Sequence, residues 1–252
     1  MPIFVQSVLL ISMKKFYTPL FLLFLTTATI LSSCKEDTID GTLVQGYEYF
    51  PTDQGRYNQF AVDSIQWDDF DPLDPVDTFT FDIREVNDSI LLDNSGDSTV
   101  RLERLRRDSA NGAWYIKDIW SMKQTDATAE KVEENERFIK LRFPLKDGKV
   151  WNGNYYNTIG NWDYKITDLG KPFTVNGVTF PETVTVIQTG SNDPLINKQQ
   201  GKEVYAKGVG LIYRELMITE AYTDPQFLNL PYDQRIRIGF KLTMKLTDYN
   251  PQ

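Results

Sequence analysis

The sequence predicts an all-β protein, its antiparallel strands arranged as a sandwich or as a curved, partly closed barrel. Three observations point there. From Tyr47 onward apolar and polar residues alternate with a period of two, which gives a strand one buried and one wet face. Turn signals rich in Gly, Pro and Asn punctuate these runs. No stretch carries the apolar spacing of a convincing amphipathic helix, so nothing supplies the crossover that parallel strands need.

The elements follow in order. Alternation appears in "TFTFDI" (78–83), "FIKLRF" (138–143), "WDYKI" (162–166) and "TVTVIQT" (183–189). "DNSGDS" (93–98) is a turn. Asn176-Gly177, between the β-branched runs of "FTVNGVTF" (173–180), is the strongest short hairpin signal. The clearest strand is C-terminal: Ile236, Ile238, Phe240, Leu242, Met244 and Leu246 alternate with Arg235, Arg237, Gly239, Lys241, Thr243 and Lys245. "TAEKVEENERF" (128–138) has helical propensity but only Val132 and Phe138 to bury. It reads as a charged hairpin loop or a single turn.

The N-terminus carries an address. Lys14 and Lys15 precede an uncharged, mostly apolar run, Phe16 to Leu31, then Ser32, Ser33 and the only cysteine, Cys34. Positive end, apolar middle and small residues before the cut make a secretory signal. "LSSC" resembles a bacterial lipobox, which predicts diacylglycerol on Cys34. Residues 1–33 are then a signal peptide, with translation expected to start at Met13, because "MPIFVQSVLLIS" puts apolar residues ahead of the charged end. Residues 34–46 form a lipidated polar tether, and 47–252 the β domain. A cysteine with several acyl chains holds a membrane stably, where one chain alone does not. Lys35-Glu36-Asp37 resembles the export tags of surface lipoproteins, so the expected location is the outer membrane, facing outward.

Composition excludes several functions. Cleavage before Cys34 would remove two lysines and no acid, taking the net charge from −8 to 25 − 35 = −10. Such a chain repels phosphate backbones, so nucleic acid is not an expected partner. The sequence has no histidine. That removes Ser-His-Asp and Cys-His catalysis and the usual zinc sites, and nothing calls for a cofactor.

"YFPTDQGRY" (49–57) and "RFPLKDGKVW" (142–151) share Phe-Pro, three residues, Gly, and then an aromatic. The pair marks either two related halves or one strand-entry turn used twice. Together with "KEVYAKGVGLIYREL" (202–216) and the rest of "LRFPLKDGKVWNGNYYN" (141–157), these stretches resemble a family of uncharacterised β-rich lipoproteins of Bacteroidetes. The resemblance implies the anchor, the β fold and a Gram-negative envelope. It implies no activity and no catalytic residue. On the residues alone, Gly208 and Gly210 mark a bend between two strands.

Two clusters stand out as candidate sites. "WDDFDPLDPVD" (67–77) gathers Asp68, Asp69, Asp71, Asp74 and Asp77. Calcium takes several oxygens from one loop, but this spacing lacks the Gly of a tight calcium loop, and no metal site is assigned. "WNGNYYNTIGNWDY" (151–164) offers aromatic faces and amides, as a glycan site does; Trp151 and Trp162 are its candidate ligand contacts, unless the aromatics are core and the Asn-Gly pairs turns. No nucleophile elbow, phosphate loop or dinucleotide fingerprint occurs. The expected function is therefore a non-catalytic envelope lipoprotein that binds a glycan or an envelope protein. A carboxylate-based glycan hydrolase and an apolar-ligand carrier are the alternatives.

Overall fold

The computed structural model describes residues 45–70 and 75–250. The expected signal peptide, Cys34 and most of the tether lie outside these residues. A 3₁₀ turn at Tyr47–Tyr49 leads into six strands: β1 (Tyr57–Trp67), β2 (Val76–Leu92), β3 (Ser98–Arg107), β4 (Tyr115–Gln124), β5 (Thr128–Glu133) and β6 (Glu136–Arg142). Six more follow: β7 (Val150–Asn152), β8 (Asp163–Val175), β9 (Val178–Asp193), β10 (Asn197–Ala206), β11 (Gly210–Ala221) and β12 (Ile236–Tyr249). All belong to one sheet in the order β6-β5-β4-β3-β2-β1-β12-β11-β10-β9-β8-β7. Every pairing is antiparallel.

The sheet curls into a nearly closed barrel. Each half is a meander of hairpins, and the halves join where β1 pairs with β12 from Asn58↔Tyr249 to Trp67↔Gly239. The other two edges, β6 and β7, form no ladder. They meet through single bonds: Ile139 N–H donates to Gly153 O at 2.8 Å, Trp151 Nε1 to Ile139 O at 2.9 Å, and Asn157 Nδ2 to Arg137 O at 3.0 Å. The Phe-Pro turns stand just before β1 and β7, with Phe50 and Phe143 both buried.

Local chemistry explains the turns. Asn176 and Gly177 both have positive φ, 48° and 79°, as a two-residue hairpin between twisted strands requires. Asp93 closes the β2–β3 turn by accepting from the N–H groups of Ser95 and Asp97. In β12, Gly239 has φ 123°, and a Cβ there would lie 2.2 Å from Ile218 O, so only glycine lets β11 and β12 approach at this point. The expected alternation of β12 holds, but only Met244 and Leu246 of the apolar row are fully buried.

Two apolar clusters fill the barrel. One joins Phe50, Leu102, Trp120, Leu141, Phe143, Trp151, Ile166 and Val186. The other joins Phe60, Ile83, Val204, Ile212 and Met244 with Val175 and Phe180 of the β8–β9 hairpin.

The segment expected as a charged loop at 128–138 is instead the β5–β6 hairpin. Its turn is only Glu134 and Asn135, both at positive φ. Glu130, Lys131, Glu133 and, just beyond, Lys140 are buried. Their charges find partners inside, which is why a sequence with so little to bury still makes two core strands.

Candidate functional site

The centre of the barrel is ionic. Lys140 on β6 reaches Glu133 at 2.9 Å and Glu203 on β10 at 3.1 Å. Arg214 on β11 makes a fork on Glu133, with distances of 3.0 and 3.3 Å. Its Nε lies 3.4 Å from Glu203 without hydrogen-bond geometry. Lys131 on β5 pairs with Glu85 on β2 at 2.8 Å. Arg104 on β3 joins Glu85 at 3.1 Å and Asp118 on β4 at 2.8 Å. β5 and β11, β6 and β10, and β5 and β2 are not neighbours in the sheet, so these pairs span the lumen.

Four cations (Arg104, Lys131, Lys140, Arg214) face four carboxylates (Glu85, Asp118, Glu133, Glu203), and the sum is 4 − 4 = 0. Burial pushes the Glu85 carboxyl up, but Lys131 and Arg104 outweigh it and hold it below the usual range. Glu133 is held well below that range: burial opposes ionisation, and Arg214, Lys140 and Lys131 overcome it. Glu203 is lowered in the same way by Lys140 and Arg214 against burial. Tyr205 donates its hydroxyl to Glu203 at 2.6 Å, and burial next to that carboxylate raises the phenol well above its ordinary value. Arg104 also stacks over Trp120, 3.7 Å from the ring centroid.

A cavity of about 60 Å³ adjoins this cluster, bounded by Glu85, Lys131, Glu133, Lys140, Glu203 and Tyr205 and, at its mouth, by Phe50, Pro51, Arg56 and Asn58. It has room for a few waters and is far below the roughly 300–1,000 Å³ of an organic-ligand pocket. Two separate stretches meet at the mouth. Arg56 donates to Gly208 O, Asn58 Nδ2 to Val209 O and Leu211 O at 3.1 and 3.0 Å, and Gly208 N–H to Glu48 O at 2.8 Å. Gly208 and Gly210, at φ 74° and 90°, make the bend that carries those carbonyls. Sequence reasoning found this bend but missed the ionic cluster, because Glu203, Arg214 and Lys140 look like the wet residues of half-buried strands.

The structure corrects the two candidate ligand contacts. Trp151 and Trp162 are 4% and 6% exposed. Trp151 packs edge-on against Tyr164, and Trp162 lies against Gly190. Buried ring faces cannot stack on a sugar, so the two tryptophans act as core. The asparagines of the same stretch brace a loop. Asn152 Oδ1 accepts from the N–H groups of Asn154 and Trp162, and Asn154 Nδ2 donates to Gly160 O. That loop presents Tyr155 and Tyr156 outward, 70% and 48% exposed, along with Ile159.

In the acidic stretch, Asp69 pairs with Arg237 at 2.8 Å and Asp68 caps the N–H of Phe70. Asp71 and Asp74 lie outside the described residues. No group of acids among the described residues is gathered as metal ligands.

No family model matches the sequence, and no curated protein is significantly similar to it. Two solved structures are similar at a low level. One is a protein described as exported, with a YmcC-like fold, from Bacteroides fragilis NCTC 9343, at 10% identity and a TM-score of 0.42. The other is a protein described as a lipoprotein, from Parabacteroides distasonis ATCC 8503, at 10% identity and a TM-score of 0.41. Each alignment covers 80% of this chain and 98% of the other. Neither likeness says what this chain does.

Proposed function

We propose that the chain is a non-catalytic lipoprotein of the outer membrane, tethered by acylated Cys34, whose rigid barrel binds a ligand or partner at the cell surface. The signal pattern ending in "LSSC" supports the anchor. One observation carries the non-catalytic part: the interior carboxylates are all paired with cations around a cavity of about 60 Å³. A glycan hydrolase needs two carboxyls facing a cleft, one of them with a raised pKa to act as acid. Glu85, Glu133 and Glu203 are lowered instead. The same small, charge-lined cavity disfavours an apolar-ligand carrier.

The test has two parts. Cys34→Ala should leave a precursor that is neither acylated nor cut by the lipoprotein pathway. Recovery of a mature, membrane-bound lipoprotein from that variant would end the anchor reading. The purified protein should release no reducing sugar from common polysaccharides; sustained release would restore the hydrolase alternative.

A further inference from the structure

We infer that a groove between β4 and the β5–β6 turn, continued by Tyr155 and Tyr156, is a binding site for a neutral oligosaccharide chain. This deepens the proposed function and rests on it for the location of the protein.

The groove follows from unequal strand lengths. β5 ends at Glu133, whereas β4 runs on to Tyr115, and their ladder stops at Ser121↔Val132. A space of about 350 Å³ opens there, walled by Ile119, Trp120, Ser121, Val132, Glu134 and Asn135, within the usual size of a ligand site. Glu134 holds φ at 49°, a strained conformation for a residue that is not glycine.

Val132 pairs across the hairpin with Arg137. The Arg137 guanidinium lies 4.6 Å from the Tyr156 ring centroid, and Tyr155 stands edge-to-face with Tyr156 at 5.2 Å. The aromatic pair is therefore on the far side of the two-strand β5–β6 hairpin from the groove, roughly 10 Å across at two strand spacings, a distance an oligosaccharide chain spans, and is held by a braced loop. Pre-ordered tyrosines lose little entropy on binding.

The polar groups here are unspent. Trp120 Nε1 is buried without an acceptor. The side chains of Ser121, Glu134 and Asn135 and the hydroxyls of Tyr155 and Tyr156 make no hydrogen bond to another described residue. Open ring faces and scattered hydroxyl, amide and carboxylate groups suit a ligand with apolar C–H faces and many hydroxyls. Charge selects the neutral kind. Arg137 is already paired with Glu130 and Asp118 with Arg104, so the free charge is the Glu134 carboxylate, which repels polyanions. A peptide strand is disfavoured, because the β4 edge beside the groove is broken by an extra residue, Lys117, between Ile116 and Asp118.

The test is affinity electrophoresis of the full chain in detergent, with neutral xyloglucan, mannan and β-1,3-glucan as probes and hyaluronan as the polyanion. At least one neutral probe should retard the protein. Tyr155→Ala and Tyr156→Ala, both exposed, should weaken retardation about fivefold or more with Tm unchanged. The site is overturned if no neutral probe retards the protein, if hyaluronan alone does, or if both tyrosine variants behave as wild type. Hydrolysis of a retained probe would instead break the non-catalytic reading and leave the site; loss of retention with membrane anchoring intact would do the reverse.

Discussion

Lys140 joins two carboxylates of the interior network. Its side chain is 3% exposed, and its ammonium lies between Glu133 and Glu203. Burial alone would lower its pKa, but the two carboxylates raise it above the ordinary lysine value, so it stays charged. Removing one partner of a buried ion pair leaves the other uncompensated and costs about 3–5 kcal/mol. Lys140→Met keeps the length and removes the charge, so it should lower Tm by roughly 6–20 °C, at a few degrees per kcal/mol for a domain of this size. Lys241→Met should change Tm little: that side chain is 40% exposed, with its ammonium 3.4 Å from Glu215, and such surface pairs are worth about 1 kcal/mol or less. Equal thermal shifts for the two variants would show that the interior charges do not act as a unit.

At the scale of elements, the free edge of β4 is the exposed liability. From Tyr115 to Trp120 it pairs only with β3, and Tyr115, Ile116 and Ile119 are about half exposed. Unpaired strand edges invite other chains, and a bulge or a lysine blunts them. Lys117 supplies both, being the extra residue of the bulge and charged. Lys117→Val should raise the apparent mass in light scattering as concentration increases; an unchanged mass would remove the protective role. The strands themselves were largely legible. β8, β9 and β12 follow from alternation and from Asn176-Gly177, since backbone turn chemistry and period two are local properties. β6 was legible too, from the alternation in "FIKLRF", but β5 was not. Its inward row includes Lys131 and Glu133, and a sequence window cannot show that their partners sit on β2, β6 and β11. Trp151 and Trp162 misled for a related reason: aromatic residues serve cores and sugar sites equally, and only burial distinguishes the two. The tyrosines between them, flanked by asparagines that fix a loop, are the exposed aromatics of that stretch.

The whole molecule should respond to acid in a simple way. Glu85, Glu133 and Glu203 all have lower pKa values folded than unfolded. Groups of this kind contribute stability that is complete above the unfolded value of about 4.3 and is lost as pH falls through the folded value. The chain has no histidine, so no side chain of ordinary pKa titrates between pH 5 and 8. Tm should therefore stay level from pH 8 to about 5 and fall steeply below about 4. A marked fall between pH 7 and 5 would mean that the carboxylates are not held as the ion pairs require.

The junction of β1 with β12 sets an order of events during biogenesis. Five hairpins on one side and five on the other form between strands close in sequence, but β1 must wait for β12, and residue 58 for residue 249. Until β12 is available, β1 and β11 both present unpaired edges, and the lumen stands open on that side. Glu85 and Lys131 could already meet, since both lie in the first half, but Lys140 would lack Glu203 and Glu133 would lack Arg214. A chain truncated before Ile236 would stay in that condition, with two sticky borders and unmatched charges facing water. Cellular quality control would thus see an incomplete copy as two separate sheets, and a finished one as a single continuous sheet.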